Sequence, residues 1–254
     1  MSEPIEIYID LNRESIRVGT LFRGPSRDRE TISFEYHPSW LAQSSRFALE
    51  PALAIGEGRF YPEQGREMFG AIGDSAPDTW GRQLMRRSER RKAKIEDRQV
   101  RTLHETDFLL GVSDVSRLGA LRFKRESDER FQAPTKRGVP GFIALGQLLE
   151  SAQRVERGIE TDSDLQMIFA PGSSLGGARP KASIIDQHGN LAIAKFPKDT
   201  DEYSIETWEH IALTLADMAG IYCSEHELVK VAKHPVLLSK RFDRMDGARI
   251  PFLS

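Results

Sequence analysis

Two short apolar runs, Ala182-Ser-Ile-Ile-Asp186 and Leu191-Ala-Ile-Ala-Lys195-Phe-Pro197, flank the polar stretch Gln187-His-Gly-Asn190. Runs of this length around a tight turn with Gly-Asn near its tip specify a β-hairpin. A hairpin is a strong constraint, because side chains alternate faces with a period of two and a slip of one residue turns every one over. Just before it lies Pro171-Gly-Ser-Ser-Leu-Gly-Gly-Ala-Arg-Pro-Lys181. The order is therefore glycine-bearing segment, strand, turn, strand ending in Lys195. A phosphate cradle needs backbone N–H groups that can approach an anion without side chains intervening, and glycine allows that. Gly172, Gly176 and Gly177 meet the requirement, and Lys195 would supply positive charge from a rigid strand. Neither G-x-x-x-x-G-K-[ST] nor G-x-G-x-x-G is present, so the plain alternative is a flexible connection between strands.

A lysine on a strand needs a carboxylate to fix it. The next helix offers one. Ser204 caps it, and Trp208, Ile211, Ala212, Leu215, Met218 and Ala219 trace an apolar stripe ending at Gly220. Glu209 lies at the edge of that stripe, where it would face the sheet and meet Lys195. Glu206, nearly one turn earlier, is the rival, and both are equally readable as solvated residues on an exposed face. Protein kinases cover ATP phosphates with a comparable glycine-rich loop and a lysine on a later strand.

The amino-terminal part reads as a small antiparallel sheet. Ile5, Ile7 and Ile9 share one face of a first strand; Ile16–Phe22 and Thr31–Tyr36 follow as the second and third. Asp78 caps a helix with Trp80, Leu84 and Met85 as apolar positions, although Gly81 weakens its first turn. Between Arg82 and Arg101 stand nine basic residues against Glu89, Glu96 and Asp97, with no aromatic residue to stack on bases. This reads as a solvated helix and loop before it reads as a nucleic-acid contact. Leu103–Gly111 forms a short helix and Gly119–Phe123 a strand. Residues 124–141 are polar and broken by glycine and proline, which places a domain boundary there: 1–125 and 126–254. Apolar residues at 142, 145, 148, 149, 152 and 155 make 142–157 a helix with one buried face, and 162–169 another helical piece. Leu228–Ala232 and Val236–Ser239 pair around Lys233-His-Pro235. The expected class is α+β: an antiparallel β-rich domain, then a twisted antiparallel sheet with packed helices.

The net charge of −2 gives no global reason to expect nucleic acid, and the single cysteine, Cys223, excludes an internal disulfide framework. No run approaches a membrane span, and the start lacks a basic region followed by an apolar one. A cytoplasmic protein without membrane contact is expected. The histidines at 104, 188, 210, 226 and 234 show no metal-ligand spacing.

Five motifs in order are similar to one family. Pro77-Asp-Thr-Trp-Gly-Arg82, Ser174-Leu-Gly-Gly-Ala-Arg-Pro-Lys181, Ala194-Lys-Phe-Pro197, Glu209 within Trp-Glu-His-Ile-Ala, and Arg241-Phe-Asp-Arg244 together resemble the HipA family, serine/threonine kinase toxins of bacterial toxin–antitoxin systems. Ser33-Phe-Glu-Tyr and Pro38-Ser-Trp-Leu41 resemble the family's amino-terminal domain, so the likeness spans essentially the whole chain. The resemblance implies a protein-kinase-like N-lobe over 126–254, ATP and Mg2+ as cofactors, and a set of nucleotide-binding positions. These are Ser174, Gly176, Gly177, Ala178 and Lys181 over the phosphates, Lys195 on the α/β-phosphates with Glu209 beside it, and Lys240 and Phe242 in a hinge meeting adenine. It also implies that Ser174, or the adjacent Ser173, is a regulatory autophosphorylation site; the added charge would compete with nucleotide phosphates for the same donors. Implied partners are a HipB-type antitoxin, which would provide any contact with DNA, and an aminoacyl-tRNA synthetase substrate.

Phosphoryl transfer further requires a base-like Asp and Asp/Asn ligands for magnesium. In the family these come from a C-lobe after the hinge. Here the only asparagines are Asn12 and Asn190, both before Lys195, and there is no Asp-Phe-Gly. No catalytic residue is therefore assigned within the chain, and weak or no phosphotransfer is expected from it alone. A separately encoded C-lobe is a further implied partner, and the alternative class is a non-enzymatic interaction module.

Overall fold

The computed structural model describes residues 3–24, 30–132, 138–169 and 177–253. The fold is α+β with antiparallel sheets, arranged as two compact units.

The first unit comprises residues 1–77, 102–134 and 243–254. Its sheet has the order β4-β3-β2-β1-β5, from β1 (Ile5–Leu11), β2 (Glu14–Gly24), β3 (Thr31–Tyr36), β4 (Arg59–Phe60) and β5 (Leu121–Arg125). Alternation in β1 works as its sequence implies. Ile5, Ile7 and Ile9 enter the core with Val18, Leu21, Phe34 and Phe123. Glu6, on the other face, meets Arg17 at 2.9 Å and Lys124 at 3.2 Å. Gly19 is required where β2 crosses β3, since a Cβ there would lie 2.4 Å from the Phe34 ring and from the Glu35 carbonyl. Short helices α1 (Pro38–Leu41) and α2 (Gly70–Gly73) lend Trp40 and Ile72 to the same core.

The second unit comprises residues 78–101 and 135–242. It is built on the long helix α3 (Thr79–Ile95), and the short α4 (Glu105–Leu110) that follows α3 in the chain belongs to the first unit. Helices α5 (Leu145–Arg157), α6 (Asp162–Phe169) and α7 (Ile205–Met218) are all in the second unit. The four strands β6 (Lys181–Ile185), β7 (Leu191–Lys195), β8 (His226–Val231) and β9 (His234–Lys240) pair in the order β6-β7-β9-β8. Ala182, Ile184, Ala192 and Ala194 fall on one face of the hairpin and are buried with Trp80, Leu84, Leu148, Leu149, Val155 and Leu165. The turn closes through Asp186, whose side chain accepts from the backbone N–H of His188 and of Asn190, each at 2.8 Å. Gly189 takes the left-handed conformation there, with φ +84°.

The compact units are each assembled from separate stretches of the chain. Asp78–Arg101 packs with the second because Trp80 and Leu84 complete its core, and Asp243–Ser254 groups with the first through strands β10 (Arg244–Met245) and β11 (Ala248–Arg249). Buried Asp243 accepts from the backbone N–H of Gly119 at 2.7 Å, and Ile250 donates its N–H to the Asp243 carbonyl at 3.1 Å. The helix expected over 142–157 begins as a 3-10 turn at Phe142–Ala144 and becomes α-helical at Leu145. Three of the arginines in the basic run are held by carboxylates: Arg87 by Glu160, Arg91 by Asp162 and Arg98 by Glu89.

Candidate functional site

Strand register places the site. Lys181 and Lys195 are cross-strand partners in β6 and β7, so period-two alternation sends both side chains to the face opposite the alanine-lined core. Helix α7, in contact with β8 and β9, begins with Ser204 accepting from the Thr207 N–H at 3.3 Å.

The two rival glutamates have different partners. Glu209 forms an ion pair with Lys195, and both side chains are about one-third exposed, open to solvent and to a ligand. Glu206 is fully buried and meets Arg179 at 2.9 Å; Arg179 also holds Asp201 by two contacts of 2.8 and 2.5 Å. These carboxylates, Asp201 foremost, hold the guanidinium's pKa above its ordinary value, and Arg179 in turn lowers that of Asp201. Arg179 thus ties the residues just before β6 to the head of α7.

Lys181 is not an open cation. It is buried, and its ammonium lies 2.7 Å from the carboxylate of Asp78, itself buried. Asp78 also caps α3, accepting from the Gly81 N–H at 2.7 Å. Burial lowers the Lys181 pKa and raises that of Asp78, while the contact between them opposes both shifts. Asp78 enters the sequence reading as a cap and as part of a family motif. Its second partner lies over a hundred residues away, and no local pattern signals it.

Among the other expected positions, Gly177 takes φ +109° and, like Ala178, is exposed. Ser173, Ser174 and Gly176 lie outside the described residues, as does Gly172. Lys240, at the end of β9, pairs with Glu225 at 2.8 Å, and Phe242 is about half exposed. The outward face of α7 is a correction to the sequence reading. Its apolar stripe does not pack on the sheet: Trp208 is 60 % exposed, Leu215 58 % and Met218 78 %. The face turned inward carries Glu206, Glu209 and Leu213 instead. Among the described residues, no group of three His, Cys, Asp or Glu side chains is placed to hold a metal ion, and no helix is long and apolar enough to cross a membrane.

The model of the HipA N-terminal domain matches residues 9–124, and that of the HipA-like C-terminal domain matches residues 173–254. The chain belongs to the HipA family. The second match contains the hairpin, Lys195 and Glu209. Among solved structures, the Shewanella oneidensis MR-1 toxin–antitoxin complex of HipA, HipB and its operator DNA has a chain with the same fold, at a TM-score of 0.60 and 17 % identity. The alignment covers 97 % of this chain and 53 % of that one, so this chain spans about half its length. A search of curated proteins gives no significant match.

Proposed function

We propose that this HipA-family chain is the nucleotide-binding portion of a serine/threonine kinase toxin. The observation that carries the reading is the Lys195–Glu209 pair, formed between a hairpin strand and the following helix beside the end of a glycine-bearing segment. A lysine held by a carboxylate, yet partly open, is placed to hold nucleotide phosphates without collapsing onto the sheet. ATP would supply the phosphoryl group when bound. Lys195 would meet its phosphates, Glu209 would orient Lys195, and the backbone through Gly177 and Ala178 would approach them.

Titration of the full chain with magnesium and a fluorescent ATP analogue tests this. Binding should be lost in Lys195→Ala with the melting temperature nearly unchanged. Equal binding by wild type and variant would refute the assignment. Incubation with radiolabelled ATP should give little incorporation, and robust labelling would contradict the weak-transfer reading.

A second reading, a module that holds a protein partner, is favoured by the uncovered apolar ridge on α7. The Shewanella complex makes a HipB-type antitoxin the first partner to test, and a separately encoded C-lobe the second. Co-purification with either, lost in Trp208→Glu, would support it.

A further inference from the structure

We infer that Asp78 is a positioning residue of the nucleotide site: it holds the Lys181 ammonium in place beneath Gly177 and so sets the end of the glycine-bearing segment against the hairpin. The inference rests on the nucleotide reading above and extends it to a helix far away in sequence.

Three contacts converge. The Asp78 carboxylate takes the Gly81 N–H with one oxygen and the Lys181 ammonium with the other, each at 2.7 Å. The Trp80 backbone N–H donates to the Gly177 carbonyl at 3.4 Å. A Cβ built on Gly177 would stand 3.2 Å from the Lys181 nitrogen, so this amine lies directly against the backbone of residue 177. The head of α3, the start of β6 and the end of the glycine segment thus meet at one buried ion pair. Lys195, the register partner of Lys181, is the open cation on the same face. Lys181 is therefore the buried support and Lys195 the ligand-facing charge.

Two buried opposite charges tolerate each other only as a pair, and removing one strands the other in a poorly solvated place. The charged groups around the pair include Arg82 on α3, Lys195 on β7 and Glu209 on α7. Without the Asp78 charge, burial and Lys195 disfavour protonated Lys181 while Glu209 favours it. The balance at the amine then moves toward its neutral form, and the support under Gly177 weakens as the pH rises.

The test uses the full chain and its Asp78→Asn, Lys181→Met and doubly substituted forms, each titrated with magnesium and mant-ATP. Asparagine keeps a good helix cap while removing the charge. Wild type is expected to bind with similar affinity at about pH 6.5 and about pH 8.5. Asp78→Asn should bind about tenfold more weakly than wild type at the higher pH and within about threefold at the lower. Lys181→Met should be weakened with no added pH slope, and the double variant should be no weaker than Lys181→Met. Thermal melts verify folding, and the double variant, with no stranded charge, keeps the comparison possible if Asp78→Asn alone unfolds. If wild type binds and Asp78→Asn binds equally well at both pH values, Asp78 is only a cap and this inference fails alone. A pH slope that persists in the double variant would overturn it too. If wild type does not bind the analogue at all, the nucleotide reading fails and takes this inference with it.

Discussion

Glu206 and Glu209 lie on one helix, three residues apart, and the structure predicts opposite consequences when each is changed to glutamine. Glu206 is fully buried against Arg179, so Glu206→Gln replaces a charge-assisted hydrogen bond in a dry environment with a neutral one. Such bonds contribute about 1.5–3 kcal/mol, and Asp201 keeps its two contacts with Arg179, so the loss should be about 2 kcal/mol. For a chain of this size that is a fall in Tm of roughly 4–8 °C. The Glu209–Lys195 pair is partly exposed on both sides, which screens it, so Glu209→Gln should cost about 0.5 kcal/mol or less in stability. Its effect should fall on nucleotide binding, because Lys195 loses the group that aims it. A tenfold rise in Kd corresponds to about 1.4 kcal/mol. Scanning calorimetry and mant-ATP titration on the same samples separate the two. The assignment of a structural and a ligand-orienting carboxylate is refuted if Glu209→Gln lowers the Tm more than Glu206→Gln does. It is refuted equally if both leave the Kd unchanged in a wild type that binds.

Two further predictions concern stability. Leu148, fully buried on α5, should cost about 3 kcal/mol when changed to alanine, whereas Leu215→Ala on α7 should cost less than about 1 kcal/mol; urea melts check the contrast. Asp164 joins α5 to α6 through Arg154, Ser151 and Thr161, and these contacts, Arg154 first, hold its carboxyl well below the usual carboxylate range. A depressed folded-state pKa gives stability that is fully present above the unfolded value, near 4, and is lost as the pH falls toward the folded one. Asp164→Asn should therefore be about 2 kcal/mol less stable than wild type at neutral pH, with the gap closing in acid; melts from about pH 7 down to about pH 2.5 test it.

Much of this fold was legible because it rests on local pattern. Period-two alternation locates β1, β2, β3 and β5, and the Asp186–Asn190 turn fixes the β6–β7 hairpin whose register aligns Lys181 with Lys195. The two-residue strand β4 is too short to show a period, and it escaped notice. Membership of the compact units depends on more than order along the chain. Polar composition at 124–141 marks a break in the chain, but Trp80 and Leu84 are assigned to a core only by what they touch. The same limit applies at the site. Spacing allowed both Glu206 and Glu209, and only their partners, Arg179 and Lys195, tell them apart. Asp78 showed its capping role in its neighbours, but its bond to Lys181 spans two distant segments.

Helix α7 shows where periodicity misleads about direction. The stripe from Trp208 to Met218 is real, but it reports which face is apolar, not which face the sheet covers. The sheet side is decided by charge: buried Glu206 must reach half-buried Arg179 and Glu209 must reach Lys195. Both sit on the helix face roughly opposite Leu215, so satisfying the two pairs turns Trp208, Ile211, Leu215 and Met218 outward. Rotating the helix to bury that ridge would leave the Arg179 guanidinium without Glu206 and pull Glu209 away from the strand. Losing the Arg179–Glu206 bond would cost about 2 kcal/mol, which rivals what burying one large apolar side chain would return. The outward ridge therefore follows from the ion pairs that build the candidate site. A charge-neutral double variant, Arg179→Met with Glu206→Leu, should free the helix to rotate, and Trp208 fluorescence should then shift to the blue. An unchanged emission maximum in a folded double variant would show that something other than these pairs sets the helix's orientation.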